Sequence, residues 1–174
     1  MIYYQNKTLI IRDFCLEDAQ PLTDAERAQG WHTDVSKFHQ RLRDQQDGTA
    51  VCLAAEYCGE PAGYINVYPN ARSGAFGNCG LPEIVDFAVL EKFRHRGIGS
   101  RLMEEAEKIA SVYADTVYLG VGLHAGYGSA QRMYVKRGYL PDGSGVWYGS
   151  SPAEPYQTYC NDDDLNLYLS KKLR

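Results

Sequence analysis

The sequence lacks any Cys-x-x-Cys pair, any apolar run long enough to span a bilayer, any excess of basic residues and any repeat or low-complexity tract. The five cysteines, Cys15, Cys52, Cys58, Cys79 and Cys160, are odd in number and widely spaced. Neither a disulfide framework nor a zinc site follows from that spacing, and reduced thiols are expected. Cys52, inside Val51–Ala55, reads as a small hydrophobe. Eighteen basic against 22 acidic side chains give a net charge of -4, which argues against nucleic acid and anionic membranes as partners and favours a cationic one. The start Met1–Lys7 lacks the basic and apolar regions of a signal peptide, so a cytoplasmic protein is expected. The four histidines, His32, His39, His95 and His124, form no legible metal triad, and no metal is expected.

What the sequence does contain is alternating strand and helix patterning over 174 residues, the length of one compact domain spanning 1–174. Thr8–Ile11 reads as a strand, and Leu16–Gln29 as a helix that Pro21 can break. Asp34 caps a helix to about Gln46 with Val35, Phe38 and Leu42 on one face, ended by Gly48. Residues 49–57 and 62–68 read as a hairpin around Cys58–Pro61, and residues 70–82 as a loop long enough to carry function. Glu83–Val89, a helix over Ser100–Tyr113 and a strand over Thr116–Leu123 make a β-α-β unit. A helix over Ser129–Arg137 follows, stopped by Gly138, with Val146–Tyr148 and Leu165–Leu169 as late strands. Residues 141–164 read largely as loop, a candidate substrate lid. The fold class expected is α/β with a mixed sheet flanked by helices.

Arg94-His95-Arg96-Gly97-Ile98-Gly99 places two glycines and two arginines where a strand turns into an amphipathic helix. Glycines admit close backbone approach, amides of the first helical turn point outward, and the helix dipole favours an anion. The arginines add fixed positive charge. A Walker loop requires a Gly-Lys-Ser/Thr ending, and a dinucleotide loop requires a third glycine where Leu102 stands, so both are excluded.

The same six residues resemble the Arg/Gln-x-x-Gly-x-Gly/Ala signature of the GNAT family of N-acetyltransferases. Ser129–Tyr139 is similar to the family's later helix, with Ala130, Tyr134, Gly138 and Tyr139 in place, Met133 for leucine, and Tyr127 where an asparagine is common. The two motifs span about Glu83 to Tyr139, and Leu165–Leu169 resembles the family's last strand. The resemblance implies a mostly antiparallel sheet whose β-α-β unit holds acetyl-coenzyme A as cosubstrate. The cofactor would lie on Arg94, His95, Arg96, Gly97, Ile98, Gly99 and Ser100 and along a bulged strand at Phe87, Ala88 and Val89, where a backbone N–H can act as oxyanion donor.

Glu83 resembles the general base that one branch of the family carries at the start of this strand, and Asp86 is its rival. An alkyl ammonium with a pKa near ~10 must lose a proton before its nitrogen can attack a thioester, and a carboxylate can take it. On a regular strand Glu83 and Asp86 point to opposite faces. Tyr134 corresponds to the family's acid, which protonates the departing thiolate. The implied reaction is direct transfer of an acetyl group to a primary amine, cationic in solution, on a small molecule or a protein. A non-catalytic acyl-coenzyme A-binding module and a homodimer stay open. Tyr148, Tyr156 and Tyr159, beside Glu154 and Asp162–Asp164, have the composition of a site for a cationic amine or of a solvated acidic loop.

Overall fold

The computed structural model describes residues 1–71 and 74–173. These divide into two compact units: Met1–Tyr68 with Val85–Ile109, and Pro69–Ile84 with Ala110 onward. The expected loop over 70–82 includes Arg72 and Ser73, which lie outside the described residues.

In the first unit, β1 (Ile2–Gln5), β2 (Leu9–Asp13), β3 (Val51–Tyr57) and β4 (Glu60–Tyr68) pair in sequence, each antiparallel to the next. The β3–β4 turn is only Cys58–Gly59, and both residues are left-handed, at φ 53° and 82°. That geometry matches the twist of a two-residue hairpin. Pro61, expected in the turn, lies in β4, where a register shift beside Glu56 accommodates a residue with no amide to donate.

Helix α1 (Leu16–Ala28) runs unbroken through Pro21. Pro21 and Glu17 are both exposed, so the Glu17 carbonyl that loses its bond faces water. Helix α2 (Val35–Gln46) starts at Asp34, whose carboxylate accepts from the Ser36 amide at 2.9 Å. Phe38 and Leu42 bury its inner face, and Phe38 stacks on Phe14 at 5.6 Å and meets Tyr64 edge-on at 5.1 Å. At the entry to α1, Asp18 receives two bonds of 2.7 Å from Arg12, which also pairs with Glu56.

Strand β5 (Glu83–Val89) leads through a short 3-10 turn at Glu91–Phe93 into helix α3 (Ile98–Ala110). The helix starts two residues earlier than its apolar periodicity indicates, inside the glycine loop. Leu102, Met103, Ala106 and Ala110 are buried, as the spacing requires.

In the second unit β6 (Thr116–Gly122) runs parallel to the start of β5, with Glu83 opposite Tyr118 and Ile84 opposite Leu119. β9 (Leu165–Lys172) pairs antiparallel with β6 and with β7 (Leu140–Tyr148), and the short β8 (Ser151–Pro152) closes on β7. Helix α4 (Gly128–Lys136) ends at the left-handed Gly138, φ 89°. β7 corrects the expectation that 141–145 is loop: it is a strand with an excursion between Pro141 and Val146, where Gly143 and Gly145 take φ 88° and 83°. The architecture is mixed α/β with mostly antiparallel strand pairing.

Candidate functional site

β5 is not a regular strand. Asp86 sits at φ 57°, in the left-handed region that asparagine and aspartate tolerate better than other non-glycine residues. The buried Asn66 of β4 shows the consequence: its amide donates to the carbonyls of both Val85 and Asp86, at 3.2 and 3.3 Å. Successive carbonyls of a regular strand point to opposite sides, so one side chain can reach both only because the strand kinks here. The alternation argument separating Glu83 from Asp86 therefore does not hold across this strand.

The Asp86 side chain is tied to Arg41 of α2 at 3.1 Å, and Arg41 also donates to Tyr68, which in turn donates to Asp44. Burial lowers the Arg41 pKa, but Asp86 and Tyr68 outweigh it, and the guanidinium is held above its ordinary value. Asp86 is thus engaged in an ion pair within the first unit.

Beyond the kink, Phe87, Ala88 and Val89 are half-buried. Gly63 of β4 lies so close that a Cβ on it would stand 2.4 Å from the Ala88 carbonyl oxygen. The Leu90 amide donates to the Ala62 carbonyl at 2.9 Å, fixing the strand's exit.

In the loop that follows, Arg94, His95, Arg96, Gly97 and Ser100 are exposed, Gly99 is half-buried, and Ile98 is buried to anchor the helix. His95 and Gly97 are left-handed, at φ 62° and 78°. Such alternation turns nearby amides toward one concave side, the geometry of an anion nest. The α3 ladder opens with the Arg101 amide donating to the Gly97 carbonyl at 3.1 Å, so the amides of Ile98 and Gly99 precede it. A Cβ at Gly97 would meet nothing within 4 Å, so the loop faces open space. Arg94 lies over the Trp31 ring at 5.7 Å and Arg96 over Tyr57 at 5.2 Å. These contacts hold both cations beside the loop.

In the second unit Glu83 is half-buried at the first position of β5 and accepts a bond from the Tyr118 hydroxyl at 3.3 Å. Burial, together with the Glu83 charge and this bond, pushes the Tyr118 pKa far up, so Tyr118 stays a neutral donor. Tyr134, on α4, is only 6% exposed, with its ring 5.8 Å from that of Tyr139. Burial, with a smaller contribution from Tyr127, raises its pKa strongly. A phenol in that state carries its proton at neutral pH.

Tyr127, where the family signature often has asparagine, packs its ring against Gly122 and gives its hydroxyl to Asp163 at 2.7 Å. His124 also meets Asp163, at 3.1 Å, while its Nδ1 accepts from the Gly126 amide. The His124 bond, then that of Tyr127, lowers the Asp163 pKa. Of the C-terminal aromatics, Tyr148 and Tyr159 pack together at 5.3 Å, and Tyr148 donates to Asp162. Tyr156 is fully exposed and Glu154 and Asp164 are exposed beside them, so these residues form a surface loop.

Sequence reading missed Asn66, Arg41 and Tyr118. A polar residue inside the apolar run Tyr64–Val67 was the signal for Asn66. Among the described residues no cluster of histidine, cysteine and carboxylate side chains could hold a metal ion, and no helix is long and apolar enough to cross a membrane.

The fold has many solved counterparts. An Ard1 structure from Thermoplasma volcanium superposes with a TM-score of 0.70 at 19% identity, covering 96% of this chain and 99% of that one. An acetyltransferase from Salmonella typhimurium, described as modifying the N-terminal serine of ribosomal protein L7/L12, gives 0.71 at 12% identity over 100% of both chains. The putative acetyltransferase yncA from the same organism, solved with its cofactor acetyl-CoA, gives 0.68 at 15% identity, covering 97% and 95%. No curated protein sequence matches significantly. At these identities the structures establish the fold alone, whereas the model of the acetyltransferase (GNAT) family matches residues 13–139, which include the kinked strand, the glycine loop and Tyr134. The chain belongs to the GNAT family of acetyltransferases.

Proposed function

We propose that this protein is an acetyl-coenzyme A-dependent N-acetyltransferase acting on a primary amine, and that transfer is direct. The observation that carries this reading is the Arg94–Ser100 loop: two left-handed residues, exposed arginines and amides ahead of the helix ladder suit a pyrophosphate. Backbone amides from His95 to Ser100 would hold the diphosphate of coenzyme A, with Arg94 and Arg96 adding charge. Phe87, Ala88 and Val89 would supply the edge along which the acyl arm lies. Acetyl-coenzyme A brings an acyl group already activated as a thioester.

The chain's own residues move the protons. Glu83, directly or through a water, takes one from the ammonium and frees the nitrogen lone pair to attack the acyl carbon. A carbon–nitrogen bond forms, the carbon–sulfur bond breaks, and the nitrogen releases its second proton to solvent. Tyr134 delivers its phenolic proton to the departing sulfur and is reprotonated from solvent, and its burial keeps it in the acid form until then. The amine is cationic in solution, in keeping with the chain's net charge of -4.

The test is release of free thiol from acetyl-coenzyme A with a panel of primary amines. Turnover should require an amine, and Tyr134→Phe should lower kcat by about 10²–10⁴-fold with little change in Tm. Absence of turnover with every amine, or full activity in Tyr134→Phe, overturns the proposal.

A further inference from the structure

Glu83 lies against an aromatic cluster that the transfer chemistry does not require. Tyr118, fully buried, and Tyr168, 9% exposed, form its buried centre with Ala71, and Phe76, Leu81 and Trp147 pack half-buried around them. The ring centroids are 4.8 Å apart for Phe76 and Tyr118, 6.2 Å for Tyr118 and Tyr168, and 5.5 Å for Trp147 and Tyr168, the last pair edge-on. The Glu83 carboxylate joins this group through the Tyr118 hydroxyl.

The rings are held in place. A Cβ on Gly74 would stand 2.4 Å from the Tyr168 hydroxyl, and one on Gly120 would stand 3.3 Å from the same ring, so Tyr168 occupies space that two glycines leave open. The Trp147 indole donates to Ser144 at 2.8 Å, and Ser144 donates to Asp142 at 2.9 Å. The β7 excursion, with its two left-handed glycines, places Ser144 and Asp142 for that relay. Burial first, then the charges of Glu83 and Asp142, raise the Tyr168 pKa, so both carboxylates project negative potential onto this cluster. Fixed rings lose little entropy when a ligand packs on them.

Resting on the acetyltransferase reading, we infer that the acceptor is a small primary amine bearing an aromatic ring on a short arm, its ammonium at Glu83 and its ring against Phe76 and Trp147. A ring packed on aromatic faces adds affinity that a linear alkyl group does not, and an ammonium near the same faces gains cation–π attraction. Discrimination against polyamines rests on the same rings, which offer a second ammonium fewer hydrogen-bond acceptors than water does.

Calorimetric titration of the full chain with 2-phenylethylamine, n-butylamine and spermidine tests this without turnover. The aromatic amine should bind about tenfold more tightly than n-butylamine. Phe76→Leu and Trp147→Leu, which keep apolar volume but remove a ring, should erase most of that preference by weakening 2-phenylethylamine far more than n-butylamine. Glu83→Gln should weaken both amines alike. Equal affinity for the three amines, or an aromatic preference that survives both leucine variants, overturns the inference. Thiol release with equal kcat/KM for all three amines overturns it too, leaving the transferase reading in place. Ring-dependent binding with no thiol release from any amine overturns the transferase reading instead.

Discussion

Gly63→Ala tests how tightly β4 and β5 are fitted at the segment assigned to the acyl arm. A Cβ there would stand 2.4 Å from the Ala88 oxygen and 3.2 Å from the Val89 Cα. The first distance falls about 1 Å short of ordinary contact. Both obstacles are backbone, so no side-chain rotation relieves them, and β4 or β5 must move. Overpacking of this kind costs about 1–3 kcal/mol, which for a chain of this size lowers Tm by roughly 2–12 °C. The displaced segment is Ala88–Val89, so activity should suffer beyond the loss of stability. A misplacement near 1 Å can cost as much as ~10²-fold in rate, and the fall should appear in kcat/KM for acetyl-coenzyme A. Differential scanning fluorimetry and the thiol-release assay read the two effects separately. A variant matching the parent in Tm and in kcat/KM would refute the assignment of Ala88–Val89.

Gly128→Ala is the converse case: φ is -57°, α4 begins there, and a Cβ would meet nothing within 4 Å. It should raise stability by about 0.5–1 kcal/mol in chemical denaturation, and a loss would contradict the open helix start. Asp18→Asn should cost about 2–3 kcal/mol at pH 7, because two charge-assisted bonds from Arg12 are lost while Arg12 keeps Glu56. Burial raises the Asp18 pKa, but Arg12 and the Cys15 amide outweigh it, and the folded value is depressed. The stabilisation is therefore complete above the unfolded value near ~3.9 and disappears as pH falls through the folded one, so the variant's Tm should decline less steeply in acid. Cys52 is fully buried, with its thiol pushed up to about 12 by burial, and should react with a thiol reagent only on unfolding. The exposed Cys58, Cys79 and Cys160 should react in the folded protein, and mass spectrometry of the labelled chain distinguishes the two classes.

The elements that sequence reading placed well are those specified locally. The Asp34 cap, the Phe38–Leu42 face, the hairpin near Cys58–Pro61, whose turn proved to be Cys58–Gly59 alone, and the glycine loop each follow from a few adjacent residues. β1 escaped although Ile2, Tyr3 and Tyr4 favour a strand, because the run is only four residues long and takes its place by pairing with β2. Only the end of β7, Val146–Tyr148, was legible, because Pro141–Gly145 has loop composition and joins the strand only through the pairing of Leu140 and Pro141 with β9. The site divides in the same way. Loop 94–100 was legible because glycine conformation and helix polarity are local, whereas Tyr118 meets Glu83 across 35 residues and Asn66 meets Asp86 across 20. The kink at Asp86 had no local signature, because aspartate in an apolar strand reads first as a side chain, not as a backbone conformation.

That residue answers to two separate demands, and they restrict its replacements differently. The left-handed backbone at φ 57° admits glycine, asparagine or aspartate, while the bond to Arg41 asks for a carboxylate. Glycine at this position would preserve the shape of the strand and leave Arg41 with Asp44 and Tyr68 in place of its Asp86 partner. Glutamate would keep the charge and resist the shape. Homologues that retain a cation at position 41 should therefore keep aspartate at 86, and those that have lost it should drift toward glycine or asparagine, so that positions 41 and 86 covary although they lie 45 residues apart.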